Sequence, residues 1–421
     1  MEKQIEETKL VQRRTVCRLC PSSDLELVLA LKPTPLANAL VSAEHLDRQE
    51  PSIPLDVFVC RECEHIQLLD VVDPEVLFRD YVYVSGTSSV YVDYLREYSL
   101  AVSSKRNLQP ESLVIEIGSN DGTLLHHFKD QGMRVLGVDP ALNLAAAAIE
   151  SGIPTISDFF SPTLAEEIKN KHGQASVVMA NHVFAHADDL ESIVKGVRTI
   201  LAPNGVFVFE VSYLLDVYRS VLFDTIYHEH VSYHTVGPLV GFFQRLGMEL
   251  VDSQRVSHQG GSLRCTVQLA GGPWPVESSV QELISMESQE LGTDIPESFR
   301  KYGERIDVER KRLTDLLTEL SSQGKRVAGY GAPAKTTTLM HHFELDGSQI
   351  EFIVDDSSFK QGLYTPGLHI PIVSSEEIYQ RKPDYLLVLA WNFADSIIAK
   401  HQAFAEAGGK FIVPLPTFRV V

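Results

Sequence analysis

One stretch constrains the fold of this chain more than any other. Residues 113–139 read LVIEIGSNDGTLLHHFKDQGMRVLGVD: an apolar run, a glycine-bearing turn, a helical pattern, and a second apolar run that ends in Asp139. This order predicts a buried parallel strand, a crossover helix and a neighbouring parallel strand. The turn predicts a place where backbone can approach a ligand, and Asp139 stands where an acid can accept hydrogen bonds from a ribose diol.

The turn favours a nucleoside cofactor that is not a dinucleotide. Its GxxxG spacing lacks the second glycine of the GxGxxG motif. A glutamate precedes the turn, where its carboxylate would repel a pyrophosphate but suits a cofactor with a cationic amino-acid end. We therefore predict a site for S-adenosylmethionine. The candidate cofactor-binding residues are Glu116, Gly118, Ser119, Asn120, Asp121, Gly122, Asp139, Asp158 and Asn181.

The alternation of strands and helices continues beyond this stretch. Strands are predicted at residues 153–160, 175–181 and 206–210, with a helix at 190–201 and a turn at 203–205. Residues 247–270 are predicted to form two antiparallel strands that close the far edge. The pattern indicates a doubly wound α/β sheet, in which ligands sit beyond the carboxyl ends of the strands.

Composition limits the classes of function. A length of 421 residues and a hydrophobic content of 44% predict two or three domains. The net charge of −19 argues against a nucleic-acid partner, because phosphate binding needs a basic surface. The sequence contains no apolar run of about 18 residues, so no membrane span is predicted. The charged N-terminus has no apolar signal segment, and five cysteines do not indicate a disulfide scaffold, so we expect a cytoplasmic protein with reduced thiols.

Four of the cysteines form two CxxC pairs, Cys17 with Cys20 and Cys60 with Cys63. Two such pairs complete a tetrahedral four-sulfur site for zinc, and the absence of an open coordination position makes that zinc structural. The residues between the pairs show little long periodicity and cannot bury much core alone, so a structural metal is reasonable. Four unrelated thiols or a redox pair are the weaker alternatives. His65 is expected to be a solvated or core histidine rather than a ligand.

A tyrosine-rich segment follows the second cysteine pair. Residues 81–94 contain four tyrosines around the loop SGTSS. Aromatic faces with hydroxyl groups and a glycine-bearing loop suit a ligand cleft. A tyrosine-rich contact between domains explains the segment equally well.

Residues 224–235, DTIYHEHVSYHT, concentrate three histidines, a glutamate and two tyrosines. The spacing is not HExxH, which argues against a catalytic metal site. Such a cluster suits proton transfer near neutral pH, with a carboxylate that orients an imidazole. The alternative is a polar loop with hydrogen-bonded histidines.

The last hundred residues repeat the α/β pattern after a long helical connector. Strands are predicted at residues 326–330, 350–355, 385–390 and 410–414, which indicates a second Rossmann-like unit. The first strand leads into GYGAPAK, where Lys335 stands at a helix start that favours phosphate.

In this order, the cysteine pairs, EIGSNDG, YHEH and GYGAPAK make the chain resemble the nucleotide-sugar C-methyltransferases over essentially its whole length. That family methylates carbon 3 of TDP-linked (sometimes otherwise activated) 4-keto-6-deoxyhexoses in branched deoxysugar biosynthesis. The resemblance implies a Rossmann-like S-adenosylmethionine methyltransferase domain between a small N-terminal zinc module and a C-terminal Rossmann-like domain. The expected divisions are residues 1–75 (zinc module), 76–275 (methyltransferase), 276–322 (helical connector) and 323–421 (sugar-nucleotide binding).

The resemblance also implies roles for individual residues. His230 corresponds to the base that removes the proton from carbon 3, and the enolate formed attacks the sulfonium methyl. Tyr227, Glu229 and His186 would surround the substrate and the enolate oxygen. The expected substrate contacts are Tyr81, Tyr83, Ser85, His186 and Lys335. The expected partner is a TDP- or GDP-linked sugar, bound by a monomer or weak homo-oligomer that needs neither nucleic acid nor membrane.

Three rival functions remain open at the level of sequence. An O- or N-methyltransferase would use the same base on a hydroxyl or amine of a related sugar. An NAD-dependent sugar-nucleotide enzyme would use either Rossmann-like unit, although GxGxxG is missing. A non-catalytic zinc adaptor would retain the methyltransferase fold without its activity. The complete YHEH cluster argues against this alternative.

Overall fold

The computed structural model, which describes residues 10–421, is centred on a seven-stranded sheet, the central sheet. Its strands lie in the order Met248–Val256, Ser262–Leu269, Leu201–Ser212, Ala175–Asn181, Leu113–Ile117, Arg134–Val138 and Thr155–Ile156. The last five are parallel, and the first two form an antiparallel edge. The predicted α/β class, with an antiparallel pair closing the sheet, is confirmed.

Successive side chains of the central sheet enter two different hydrophobic cores, because they point to opposite faces. Ile115 and Val178 pack into the larger core, whereas Val114 and Val177 pack into the smaller one. Helices supply the other half of each core. They span Ser89–Lys105, Thr123–Asp130, Leu142–Glu150, Pro162–His172, Leu190–Ile200, Leu214–Arg219 and Val236–Arg245.

The cysteine-bearing region folds into a four-stranded antiparallel sheet, the N-terminal sheet. Its strands are Leu25–Thr34, Ile53–Cys60, Ile66–Leu68 and Ser232–Tyr233. The last strand comes from the segment that carries YHEH, so pairing with it ties that segment to the cysteine module. Leu55 and Val57 lie in the larger core, and the module therefore buries its apolar residues jointly with the rest of the chain. A short strand pair, Val11–Arg13 with Asp70–Val72, and the helix Pro74–Phe78 flank this sheet.

A six-stranded sheet near the C-terminus, the C-terminal sheet, repeats the α/β order. Its strands lie in the order Ile372–Val373, Ile353–Val354, Val327–Tyr330, Tyr385–Val388, Lys410–Val413 and Arg419–Val420. The first five are parallel and the last is antiparallel. The helices of this region are Lys335–Phe343, Glu377–Arg381, Ala394–Lys400 and Gln402–Glu406. Two long helices, Ser278–Leu291 and Ile295–Ser322, lie between the central sheet and the C-terminal sheet in the order of the chain.

Two local expectations are wrong. Residues 203–205 do not form a separate turn but belong to the strand Leu201–Ser212. The register with Ala175–Asn181 shifts between Leu201 and Val206, so the extra residues are accommodated as an irregularity within the ladder. The strand expected at residues 153–160 is limited to Thr155–Ile156, because only these residues pair with the sheet edge.

No helix among residues 10–421 is long and apolar enough to cross a membrane. The expectation about the charged N-terminus falls mostly on residues 1–9, which lie outside the described residues.

Candidate active site

The two cysteine pairs meet in one cluster of four sulfur atoms, all within 4.8 Å of one another. The Sγ atoms of Cys17 and Cys63 are 3.7 Å apart, and those of Cys20 and Cys60 are 3.4 Å apart. A tetrahedral zinc with Zn–S bonds of about 2.3 Å requires sulfur separations of about 3.8 Å, so the four thiols fit one zinc ion. His65 is buried outside this cluster, against a serine hydroxyl of the N-terminal sheet. Four cysteines and no histidine therefore form the metal site.

The glycine turn after strand Leu113–Ile117 is closely packed against neighbouring side chains. Gly118 has a φ of +67°, and a Cβ atom there would lie 2.2 Å from a methyl group of Val183. Gly122 has a φ of +79° and is packed against the side chain of Ile153. Larger residues would both strain the backbone and fill the turn.

Two polar side chains of the turn point to the tyrosine-rich segment. Asn120 accepts a hydrogen bond from the backbone of Ser85 at 2.9 Å and donates to the carbonyl of Tyr83 at 2.9 Å. Asp121 accepts from the backbone of Gly86 at 2.9 Å. These bonds hold the segment over the turn, so Asn120 and Asp121 position its backbone in this structure.

The two acids expected at the nucleoside differ in their surroundings. Asp139 is buried, and its carboxylate accepts from the backbone of Asn120 at 2.7 Å and of Ala141 at 2.8 Å. Burial raises the pKa of Asp139. Asp158 lies on an exposed loop and accepts from the backbone of Phe159 at 2.8 Å. Only Asp139 is thus fixed beside the glycine turn.

Three unpartnered buried atoms surround the carboxyl end of strand Leu113–Ile117. Asn181 donates to one carboxylate oxygen of Glu116 at 3.1 Å. The other oxygen of Glu116, Oδ1 of Asn181 and the hydroxyl of Ser119 are buried and have no hydrogen-bond partner among the described residues. Burial raises the pKa of Glu116 to about 8. Because buried polar groups are normally satisfied, these atoms indicate a ligand site, and their acceptor oxygens fit the cationic end of S-adenosylmethionine.

His230 holds a single tautomer in this structure. Its Nδ1 lies 2.8 Å from the carbonyl oxygen of Thr225. A carbonyl can only accept, so Nδ1 carries the proton and Nε2 carries the lone pair. Nε2 has no hydrogen-bond partner in the described part of the chain. Burial lowers the pKa of His230 to about 4, which keeps the imidazole neutral at neutral pH.

Two of the three other expected catalytic residues lie beside this imidazole. The ring of Tyr227 lies 4.1 Å and that of His186 4.9 Å from the ring of His230, centroid to centroid. Glu229 points elsewhere: its carboxylate accepts from Tyr81 Oη at 2.9 Å and from Nδ2 of Asn38 at 2.6 Å. The expectation that a carboxylate of this cluster orients the imidazole is therefore wrong, because a backbone carbonyl does so.

Asn38 was missed by the sequence analysis. It lies in the N-terminal region, 191 positions before Glu229, in a segment without any motif. The remaining histidine of YHEH, His228, is buried and contacts the carbonyl of Pro54 at 3.2 Å, which matches the structural alternative for that residue.

Lys335 reaches the same region from the C-terminal sheet. Its Nζ lies 3.5 Å from the ring centroid of Trp391 and donates to Asn392 at 2.6 Å. Burial lowers the pKa of Lys335 to about 8. In the same helix, the hydroxyl of Thr338 donates to the carbonyl of Ile226 at 2.7 Å, next to the YHEH segment. The N-terminal region, through Asn38, and the C-terminal region, through Thr338, thus both contact the YHEH segment or the residue just before it.

Three family models match consecutive parts of the chain. A zinc binding domain matches residues 17–78, a methyltransferase domain matches residues 92–253, and a C-methyltransferase C-terminal domain matches residues 257–416. The four-cysteine cluster, the glycine turn and the YHEH segment lie within the first two matches. Lys335 lies within the third.

One known protein is similar to nearly the whole chain, and others are similar to part of it. C-methyltransferase NovU of Streptomyces niveus is 38% identical over 405 residues, which is 96% of this chain and 96% of that protein. A ubiquinone biosynthesis O-methyltransferase of Rhodopseudomonas palustris (strain HaA2) is 30% identical over 96 residues, or 23% of this chain and 38% of that protein. The crystal structure of magnesium protoporphyrin IX methyltransferase (ChlM) from Synechocystis PCC 6803 with bound SAM has 11% identity and a TM-score of 0.32, over 43% of this chain and 78% of that one.

The similarity to NovU covers the cysteine module, the central sheet and the C-terminal sheet together, whereas the O-methyltransferase matches a limited part. Together with the three domain models, this full-length match decides the family. The chain belongs to the S-adenosylmethionine-dependent C-methyltransferases.

Proposed function

We propose that this enzyme methylates carbon 3 of a TDP- or GDP-linked 4-keto-6-deoxyhexose, with His230 as the general base. The observation that carries the proposal is the fixed tautomer of His230, whose Nδ1 donates to Thr225 and leaves the Nε2 lone pair free. A base for carbon acids must be unprotonated and within reach of the C–H bond. His230 meets the first condition because burial keeps it neutral.

The proposed step begins with proton removal. The 4-keto group acidifies the hydrogen on carbon 3, because the electron pair of the broken C–H bond delocalises onto the keto oxygen as an enolate. Nε2 of His230 accepts the proton, and Thr225 stabilises the resulting imidazolium through its carbonyl. When bound, S-adenosylmethionine supplies an electrophilic methyl group, and its S–CH3 electron pair leaves with sulfur as carbon 3 forms the new bond.

Neighbouring residues are assigned to binding the sugar. Tyr227 and His186 flank the base at ring distances of 4.1 and 4.9 Å, which supports their assignment to the sugar ring and the enolate oxygen. Glu229 and Tyr81, which share a hydrogen bond of 2.9 Å, are assigned to the sugar hydroxyl groups. Tyr83 and Ser85 belong to the segment held over the glycine turn and are assigned to the same side of the cleft.

Lys335 is assigned to the diphosphate of the sugar nucleotide. It is a cation of the C-terminal region, and it stands at the start of a helix, where backbone N–H groups also favour phosphate. Its contacts with Trp391 and Asn392 hold the ammonium group at the cleft wall.

The methyl donor is assigned to the glycine turn. Gly118 and Gly122 give the turn its positive φ angles and pack against Val183 and Ile153, Asp139 is assigned to the ribose, and Glu116 with Asn181 is assigned to the amino group. Ser119, Asn120 and Asp121 complete the turn, and Asp158 is assigned to the adenine. A zinc ion held by Cys17, Cys20, Cys60 and Cys63 would have no open coordination position and would serve the fold rather than the reaction.

A panel of substrates tests the proposal. The enzyme is incubated with TDP-, GDP- and UDP-linked 4-keto-6-deoxyhexoses and a 13C-methyl-labelled donor, and the product is analysed by NMR. We expect a new carbon–carbon bond at carbon 3 with the TDP- or GDP-linked sugar. A methyl group on oxygen or nitrogen would favour the O- or N-methyltransferase alternative, and no product with any keto sugar would contradict the proposed substrate class.

A further inference from the structure

The pocket beside the glycine turn contains more unpartnered polar atoms than the assigned residues account for. In addition to Glu116, Ser119 and Asn181, the Nε2 atoms of His182 and His258 are buried without a hydrogen-bond partner among the described residues. Neither histidine belongs to the YHEH cluster. His182 directly follows Asn181, and His258 lies close enough to His182 and Glu210 for their charges to interact. Two orphaned imidazole nitrogens in this neighbourhood require an explanation.

His182 is held in this pocket by an uncommon backbone conformation. It directly follows Asn181 at the carboxyl end of its strand, and its φ is +53°, which is rare for residues other than glycine. Its backbone N–H donates to the carbonyl of Glu210 at 2.7 Å. Strain of this kind persists where the surroundings fix it, and it is concentrated at functional sites.

His258 enters the pocket from the loop between the two antiparallel strands. Its ring stacks on Tyr94 at 4.2 Å and on Tyr91 at 4.8 Å, centroid to centroid. Gly261, which ends this loop, has a φ of +118°, and a Cβ atom there would lie 2.4 Å from the carboxylate of Asp216. The loop is thus tightly placed, and the position of His258 is determined by packing.

Near the two histidines, Glu210, Tyr94 and Arg264 form a network whose hydrogen bonds are made among themselves. Glu210 accepts from Tyr94 Oη at 2.6 Å and from Arg264 at 2.9 Å, and Arg264 also donates to the tyrosine at 2.7 Å. Nε2 of His182 lies 3.7 Å from Glu210, beyond hydrogen-bond distance. The charges of Glu210 and Arg264 compensate each other, so this network supports the pocket and leaves the two imidazoles to meet a ligand.

The orphaned atoms match the two charges of an amino acid. Glu116 and Asn181 present acceptor oxygens, which suit an ammonium group. A neutral imidazole whose Nε2 is protonated can donate, which suits a carboxylate. We propose that His182 and His258 bind the α-carboxylate of the methyl donor, opposite the acceptors that bind its α-ammonium group.

Ligands that lack one charged group at a time test this assignment. Isothermal titration calorimetry of the zinc-loaded full-length enzyme would use S-adenosylhomocysteine, its decarboxylated analogue, and 5′-methylthioadenosine, which lacks the whole amino-acid end. In the unaltered enzyme, removal of the carboxylate is expected to weaken binding roughly 10- to 100-fold. This comparison needs no variant, so it remains decisive if a substitution impairs folding.

Variants then locate the contact. His258→Ala, and His182→Asn, which tolerates the positive φ, should weaken binding of S-adenosylhomocysteine about tenfold or more and leave the decarboxylated analogue within about twofold. Glu116→Gln should weaken both ligands and spare 5′-methylthioadenosine. His126→Ala, which removes a surface imidazole bonded to Ser151, is the matched control and should change none of the three affinities.

Two results would overturn the proposal. One is an unaltered enzyme that binds S-adenosylhomocysteine and its decarboxylated analogue equally well. The other is a histidine variant that loses the same factor for both ligands, because the residue would then act on something other than the carboxylate. The readout is cofactor binding without any sugar, so it is independent of the proposed substrate.

Discussion

The central sheet and the C-terminal sheet follow the same α/β plan, yet the polar groups at the carboxyl ends of their strands differ in how far their hydrogen bonds are satisfied. In the C-terminal sheet, Gly331 follows the first strand with a φ of +90°, and Asp355 follows the next. That carboxylate accepts from the backbone of Ala332 at 2.8 Å and of Ser357 at 2.9 Å, and pairs with Lys360 at 3.4 Å. In the central sheet, the corresponding region keeps several buried polar atoms without a partner.

Histidines of the two regions differ in the same way. Both nitrogens of His401, beside the C-terminal sheet, are engaged by the hydroxyl groups of Tyr330 at 3.0 Å and Tyr379 at 2.9 Å. His230 uses one nitrogen for Thr225 and keeps the other free. The α/β fold therefore indicates that a ligand can bind at the carboxyl ends of the strands. The buried polar atoms without a partner indicate that the central sheet, rather than the C-terminal sheet, binds it.

The largest expected effect comes from the free imidazole. His230→Gln should lower kcat roughly 100- to 10,000-fold, because a general base is removed, and should leave the affinity for S-adenosylhomocysteine unchanged. His401→Gln is the matched control and should retain kcat within about threefold while losing roughly 1 kcal/mol of stability. Steady-state kinetics and thermal unfolding measure both. Equal losses of kcat in the two variants would remove the distinction between the regions.

A smaller effect is expected from the two acids at strand ends. Glu116→Gln should weaken binding of S-adenosylhomocysteine roughly 10- to 100-fold, because an unpartnered acceptor for the ammonium group is lost. Asp355→Asn should leave this affinity unchanged and lower the free energy of unfolding by roughly 1–3 kcal/mol, because its bonds are internal. Calorimetric titration and denaturant unfolding separate the two outcomes. A loss of cofactor affinity in Asp355→Asn would show that the C-terminal sheet also takes part in cofactor binding.

The next largest effect is expected from Asn38, which the N-terminal region contributes to the surroundings of Glu229. Asn38→Ala removes one of the two donors to Glu229 and should lower kcat/KM about tenfold, without changing cofactor affinity. Asn170→Ala, on the exposed side of the helix Pro162–His172, is the control. If kcat/KM stays unchanged in Asn38→Ala, the module is not coupled to the cleft through this residue.

The smallest expected effect concerns pH. Burial lowers the pKa of His230 to about 4, so the base is already unprotonated at higher pH. Protonation of His230 would begin only as the pH falls toward that value, and kcat/KM should therefore be nearly constant between about pH 5.5 and pH 7, below the range in which Lys335, with its pKa lowered to about 8, loses its charge. A pH–rate profile measures this. A rise centred near the ordinary histidine pKa of about 6.5 would contradict the buried, neutral base.

Patterns of local spacing predicted a large part of this molecule. The CxxC pairs predicted the four-sulfur cluster, and apolar runs separated by helical patterns predicted the central sheet. Both predictions were possible because these features depend on residues near each other in the chain. The same information could not show that Thr225, rather than a carboxylate, orients His230, because that depends on the conformation of a loop. It also could not find Asn38 beside Glu229 or Arg264 beside Glu210, since these pairs are 191 and 54 positions apart.

Hydrogen–deuterium exchange at carbon 3 of a nucleotide-linked 4-keto-6-deoxyhexose tests the central claim most directly. The sugar is incubated in D2O with the enzyme and S-adenosylhomocysteine, so that proton removal can occur without methyl transfer, and NMR follows the carbon 3 signal. We expect exchange with the unaltered enzyme and its loss in His230→Gln. Exchange that persists in His230→Gln, or no exchange with the unaltered enzyme, would contradict the assignment of His230 as the base.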